Sequence, residues 1–225
     1  MKKLVIVGCG RLAGIVSDAV VNGLLPEYDL VGVYSRTAEK AERIVAKMQQ
    51  HGKTCMACTT IEDLLALKPN YLVEAASPAA MKELALPALK NGTSIVTLSI
   101  GALADTAFYQ EVMKTAQANG TRVYIVSGAT GGFDVLRTAS LMGNATAKFF
   151  NEKGPNALKG TAVYDEALQT EQRVVFSGNA TEAIAMFPTK VNVAVAASLA
   201  SVGPENMQMS MQSTPGFVGD TQRVE

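Results

Sequence analysis

"GCGRLAG" at residues 8–14 decides how the rest of this 225-residue chain is read. It follows a short apolar run, "LVIV" at 4–7, and opens "RLAGIVSDAVVNGLL", where Leu12, Ile15, Val16, Ala19 and Val20 recur at helical spacing. Strand, glycine turn and helix, in that order, are the setting a dinucleotide phosphate site requires. Gly8 permits a tight turn, Gly10 lets the backbone approach a pyrophosphate, and Ala13 lets helix and strand pack closely. The phosphates would rest on N–H groups that the first helical turn leaves unpaired, beside Arg11 and Leu12.

The next strand-like run ends at "GVYSRT", residues 32–37. About 20 residues beyond the glycine turn, an Asp or Glu normally grips the ribose 2′-hydroxyl of NAD. This chain has Ser35 there, followed by Arg36 and Thr37. A carboxylate would repel a 2′-phosphate, whereas two hydroxyls and a guanidinium can bind one. The expected cofactor is therefore NADP rather than NAD.

Outward from this turn the rhythm persists. "TAEKAERIVAKMQQ" directs Ala41, Ile44, Val45 and Met48 inward and keeps Glu39, Lys40, Glu42, Arg43 and Lys47 wet. Strand-like "YLVEAA", "SIVTLS" and "RVYIVS" follow, with helical stretches beginning near Pro78 and Asp105. Strands separated by helices imply a parallel sheet, so residues 1–127 are expected to form a doubly wound Rossmann α/β domain.

The pattern then changes to an α+β domain over 128–225. "SGATGGFDVLRTASLMGN" reads as a Gly-rich turn and helix, and "AKFFNE", "KGTAVYD" and "RVVFSG" as strands. "TEAIAMFPTKVNVAVAASLASV" is helical with a break at Pro188, and "MQMSMQST" and "RVE" are strand-like. The Met207 to Met211 alternation fits a half-buried strand rather than a set of thioether ligands. The chain stops inside a strand-like segment, which leads us to expect a C-terminal continuation beyond Glu225.

Hydrophobic residues make up 48% and charged residues 18%, with 20 basic and 20 acidic side chains. That balance suits a globular protein and supplies no basic excess for nucleic acid. No apolar run reaches the roughly 20 residues a membrane helix needs, and "LVIV" is too short for a signal-peptide core. A cytoplasmic protein is expected. "CMAC" (Cys55, Cys58) lacks the second pair or nearby histidine of a zinc site, and the one histidine, His51, reads as a solvated helix end. No metal site is expected.

Five stretches then resemble the L-aspartate dehydrogenase family, oxidoreductases with folds of the dihydrodipicolinate-reductase type. They are "VEAASPAA" (73–80), "TLSIGALAD" (97–105), "SGATGGFDVL" (127–136), "EKGPNALKG" (152–160) and "FSGNATEAIAMFPTKVNVAVAASLA" (176–200). The resemblance implies hydride transfer from an amino-acid α-carbon to a nicotinamide, through an imino acid. It also implies a homodimer paired through the second-domain sheet. Ala76 and Ser77 in the first stretch are further cofactor candidates. Ala129 resembles the family's backbone contact to the nicotinamide end, and Asn192 its asparagine beside cofactor and substrate.

Two departures stand out. Lys190 replaces the first Asn of a "FPxNxNVA" pattern and is a candidate for a substrate carboxylate. The tail "TPGFVGDTQRVE" aligns with "DPxxxxNxH", which puts Gln222 at the catalytic histidine position. A glutamine amide cannot exchange a proton as imidazole does. The proton would go to Lys190, Lys153, Asp134, Asp220 or water, with Gln222 orienting the substrate. Three functions remain open: an NADP-preferring amino-acid dehydrogenase, a non-catalytic NADP-binding sensor, and an imine or carbonyl reductase.

Overall fold

The computed structural model describes residues 1–128 and 130–225. They divide into two units, Met1–Ala102 with Thr106–Val126, and Leu103–Asp105 with Ser127–Glu225.

The first unit alternates strand and helix: β1 (Lys2–Val7), α1 (Arg11–Val21), β2 (Tyr28–Tyr34), α2 (Ala38–Gln50), β3 (Met56–Cys58), α3 (Ile61–Ala66), β4 (Tyr71–Glu74), α4 (Pro78–Lys90), β5 (Ser94–Thr97), α5 (Thr106–Ala118) and β6 (Val123–Ile125). The strands pair in parallel in the order β3-β2-β1-β4-β5-β6. This is the dinucleotide-binding order, with its reversal between β1 and β4. The run "LVIV" lacks polar alternation because β1 is central, and Leu4, Val5, Ile6 and Val7 are all buried. α2 buries Ala41, Ile44 and Met48 as its spacing predicts.

The inward face of α1 differs from the expected one. Ala13, Ser17 and Val20 are buried, whereas Leu12 and Ile15 are 49% and 56% exposed. The small side chains of Ala13 and Ser17 let the helix lie close to the strands, so its buried stripe follows size rather than hydrophobicity alone.

The second unit contains α6 (Phe133–Leu141), β7 (Lys148–Lys153), β8 (Arg173–Asn179), α7 (Ala180–Met186), α8 (Asn192–Leu199), β9 (Gln208–Ser213) and β10 (Asp220–Val224). Its sheet runs β10-β7-β9-β8, with β7 and β9 parallel and the outer strands antiparallel to them. Phe149, Met209 and Met211 point to one face, where they meet Ala183, Phe187, Ala194 and Ala197 of the α7 and α8 region. The opposite face carries half-buried Phe150 and Ser210 and exposed Lys148, Gln208 and Arg223.

"GNATE" has a local physical cause. Asn179 Oδ1 accepts from Glu182 N at 2.9 Å, and Glu182 Oε2 accepts from Asn179 N at 2.8 Å, a complete capping box for α7. A Cβ on Gly178 would stand 2.3 Å from that Glu182 oxygen, so glycine makes room for the cap.

"KGTAVYD" is not a strand. It forms a turn between two 3-10 helices, Pro155–Leu158 and Glu166–Gln169. Gly160 has φ +79°, and Thr161 Oγ1 donates to the Leu158 carbonyl at 2.6 Å. The left-handed glycine and the hydroxyl-to-backbone bond close the turn, and Val163 and Tyr164 pack on the core without joining a ladder.

Candidate functional site

In the first unit the glycine turn sits where the strand order reverses. Gly8 has φ +90°, and a Cβ there would come within 2.6 Å of the Ala75 backbone, next to the end of β4. Gly10 caps α1 without a side-chain bond, and the space a Cβ would enter has no atom within 4 Å. The first turn of α1 holds no acidic residue, Arg11 and Leu12 are exposed on it, and Ala13 is fully buried. An open, uncapped and acid-free helix start fits a pyrophosphate.

At the end of β2, Ser35 is half-buried and Arg36 and Thr37 are exposed. Thr37 N donates to Ser35 Oγ at 3.3 Å, which holds the serine hydroxyl at the strand tip. The Thr37 hydroxyl makes no cap bond to α2. Both hydroxyls and the guanidinium can therefore turn to a phosphate.

Glu74, the last residue of β4, is the feature that the sequence reading missed. It is fully buried and accepts five hydrogen bonds. Oε1 takes Ala76 N at 2.8 Å, Ser77 N at 3.0 Å and Ser99 Oγ at 2.9 Å. Oε2 takes Thr97 Oγ1 at 2.9 Å and Ser99 N at 3.1 Å. A buried carboxylate is tolerated when donors surround it, and here the donors come from the loop after β4, the end of β5 and the loop that follows it. The amides of Ala76 and Ser77 are thus turned toward Glu74. Ser77 Oγ accepts from Ala80 N at 3.1 Å to cap α4, so this loop presents a fixed shape. The only sequence signal was an acid closing an apolar strand.

All three cysteines are free and buried. Burial pushes the Cys9 thiol up to about 11. Burial, then the neighbouring Cys58 and Cys9, push Cys55 up to about 12. Burial also raises Cys58. These thiols stay protonated and unreactive at neutral pH. No metal-holding group occurs among the described residues. His51 is exposed at the end of α2, its Nδ1 2.9 Å from the Lys47 carbonyl.

In the second unit, Gln222 lies on β10 opposite Asn151 of β7. Its Oε1 accepts from Thr130 Oγ1 at 2.5 Å. Gly128, at φ +68°, would bring a Cβ within 3.3 Å of Val193 Cγ2, beside Asn192 at the start of α8. Ala129 lies outside the described residues.

Two residue pairs along the sheet, Asp220 faces Lys153, which faces Ser213. Lys153 is 5% exposed and its ammonium pairs with Asp220 Oδ2. Asn151 Nδ2 donates to Asp220 Oδ1 and, at 3.0 Å, to the Thr221 carbonyl. Lys190 instead donates to the Ala157 carbonyl at 2.5 Å. Asp134 is exposed in the first turn of α6.

Residues 8–126 match the family described as homoserine dehydrogenase, NAD binding domain, and residues 134–225 match aspartate dehydrogenase, C-terminal. The L-aspartate dehydrogenase of Methanococcus maripaludis is 30% identical over 213 residues, covering 93% of this chain and 78% of its own. The chain belongs to the L-aspartate dehydrogenase family. Its relative in Methanothermobacter thermautotrophicus is 33% identical over 195 residues, or 87% of this chain and 70% of its own. The fold agrees with the aspartate dehydrogenase crystal structure from Thermotoga maritima. That structure matches with a TM-score of 0.76 at 24% identity, across 100% of this chain and 83% of its own. Membership in the family carries the enzyme class, an NAD(P)-dependent oxidoreductase of the amino-acid dehydrogenase type. Among the described residues no helix is long and apolar enough to cross a membrane.

Proposed function

We propose that this chain is an NADP-preferring dehydrogenase that interconverts an amino acid, L-aspartate in the first instance, and its imino acid. The observation that carries the reading is that the Gly-rich turn meets both the start of α8, where Gly128 lies against Val193, and β10, where Thr130 bonds Gln222. Those three segments hold the positions that the family resemblance marks for cofactor, substrate and catalytic histidine.

The uncapped first turn of α1 would hold the pyrophosphate, and Arg36, with Ser35 and Thr37, the 2′-phosphate. When bound, the nicotinamide supplies hydride chemistry. Gln222 spends its oxygen on Thr130, so its amide hydrogens are what it offers a substrate oxygen. It holds and orients, and it takes no proton. Losing a general base costs about 10²–10⁴-fold in rate, so aspartate turnover is slow.

A homodimer suits the open face of the second sheet, where a shallow depression of about 560 Å³ is lined by Phe150, Ser210 and Arg223, among others. The three buried free thiols suit a reducing compartment such as the cytoplasm.

One observation favours a second reading. Gln222, where the family pattern has histidine, also fits an NADP-binding sensor without catalysis. The test follows NADPH formation with a panel of L-amino acids, and its consumption with 2-keto acids plus ammonia. Slow, aspartate-dependent reduction of NADP is expected. Tight NADPH binding with no turnover on any compound would support the sensor instead.

A further inference from the structure

The inward face of the second sheet changes character along β7. Phe149 lies in an apolar layer with Met209 and Met211, and then Asn151 and Lys153 occupy equivalent inward positions at 2% and 5% exposure. Burying an amide and an ammonium is costly unless each is matched. An apolar pair of similar volume often stabilises a buried site as well, so the Lys153–Asp220 pair is open to a role beyond stability.

We propose that this pair recognises the zwitterionic head of an amino acid, Lys153 taking the carboxylate and Asp220 the ammonium. The assignment rests on the dehydrogenase reading above and names the groups that would select its substrate class.

Three observations support it. First, the ammonium has three donors, and Asp220 takes one. Second, Ser213 is fully buried beside Lys153 in register, and its hydroxyl finds no partner among the described residues. Gln222 lies two residue pairs along β10 and β7, on the same side of the sheet. Ammonium, hydroxyl and amide together make a donor-rich patch that suits a carboxylate. Third, the Asp220 side chain is 43% exposed, while Asn151 fixes one of its oxygens. A fixed and accessible carboxylate beside the patch suits a substrate ammonium. Arg173, in register with Ser213 from β8, is engaged by Asp165 and Glu171 and does not compete for the anion. The pair is neutral overall, so a zwitterion satisfies both halves, whereas a simple amine or a simple acid satisfies one.

The test is calorimetric titration of L-aspartate into the protein–NADPH complex, where both partners are reduced and no turnover occurs. Binding by the wild type is expected, weakened roughly 10-fold or more by Lys153→Gln and by Asp220→Asn, with Lys153→Arg recovering most of it. NADPH affinity should stay within about 2-fold in each variant, because the residues proposed for the pyrophosphate and the 2′-phosphate belong to the other unit. A wild-type comparison needs no variant to fold. Succinate, which lacks the amine, and the α-amide of aspartate, which lacks the α-carboxylate, should each bind roughly 10-fold more weakly than aspartate. Equal binding by the variants, equal binding of the analogues, or no wild-type binding of aspartate would overturn the proposal. Selective binding without turnover would sink the dehydrogenase reading and leave this one standing. Turnover with indifferent variants would do the reverse.

Discussion

The hydroxyl of Thr130 donates to Gln222 Oε1, across 92 residues of chain, and so ties the Gly-rich turn to the last strand. With that oxygen occupied, residue 222 acts as a hydrogen-bond donor and has no proton to exchange near neutrality. A pH profile of kcat between about 5.5 and 9 should therefore show no inflection near pH 6.5 arising from this position. Introducing histidine there should add one. An imidazole-like inflection in the wild type would contradict the assignment, since the one native histidine is His51 at the exposed end of α2.

On the proposed NADP-preferring reading, Arg36 is the residue expected to set nucleotide choice. Arg36→Ala removes an exposed guanidinium with no hydrogen bond or ion pair among the described residues, so folding should hold. NADPH affinity should fall roughly 10- to 100-fold, while NADH affinity changes by less than about 2-fold. Equal losses for both nucleotides, measured by fluorescence titration, would remove the 2′-phosphate from the argument.

Glu74→Gln keeps the shape of the side chain and replaces one acceptor oxygen with an NH₂ group. Every one of the five donors around Glu74 needs an acceptor, so one or more is left facing a second donor. The expected cost is about 1–3 kcal/mol in urea unfolding. NADPH binding should also weaken, because the Ala76–Ser77 backbone loses its anchor. An unchanged midpoint with unchanged affinity would show that the carboxylate charge is dispensable.

The cysteines give a pH prediction with a definite sign. Their thiols are raised in the folded protein, Cys9 to about 11 and Cys55 to about 12, because burial disfavours the thiolate. A raised folded value contributes stability that is present at neutral pH, below the ordinary thiol range. It is lost as pH climbs through that range toward the folded values. Alkylation at pH 8 should therefore be slow in the native protein and fast in denaturant, read by mass spectrometry. Rapid native modification of Cys55 would contradict its burial.

Much of the fold was legible because its signals are local. The 3.6-residue spacing of α2 and the unbroken apolar run of β1 each report the environment of the segment that carries them. The α1 face was misread because Leu12 and Ile15 outrank Ala13 and Ser17 in hydrophobicity, while close packing on the strands selects for small size. "KGTAVYD" alternates like a strand, and a left-handed Gly160 with a hydroxyl-closed turn overrides that pattern. The residues proposed for the pyrophosphate and the 2′-phosphate lie in or next to one βαβ unit, so spacing alone points to them. The Lys153–Asp220 pair could not, because only the antiparallel register of β7 and β10 brings those residues together. Glu74 was hidden for a similar reason, since its donors Thr97 and Ser99 come from the end of the neighbouring strand and the loop after it.

The most direct measurement is the aspartate-dependent reduction of NADP by the wild type and by Gln222→His, assayed side by side with NADPH affinity. If Gln222 occupies the position of the family's proton-exchanging group, kcat/KM for L-aspartate should rise roughly 10²-fold or more in the variant, with NADPH affinity within about 2-fold. A folded variant that binds NADPH normally and oxidises aspartate no faster than the wild type would contradict the placement of Gln222 at the catalytic position.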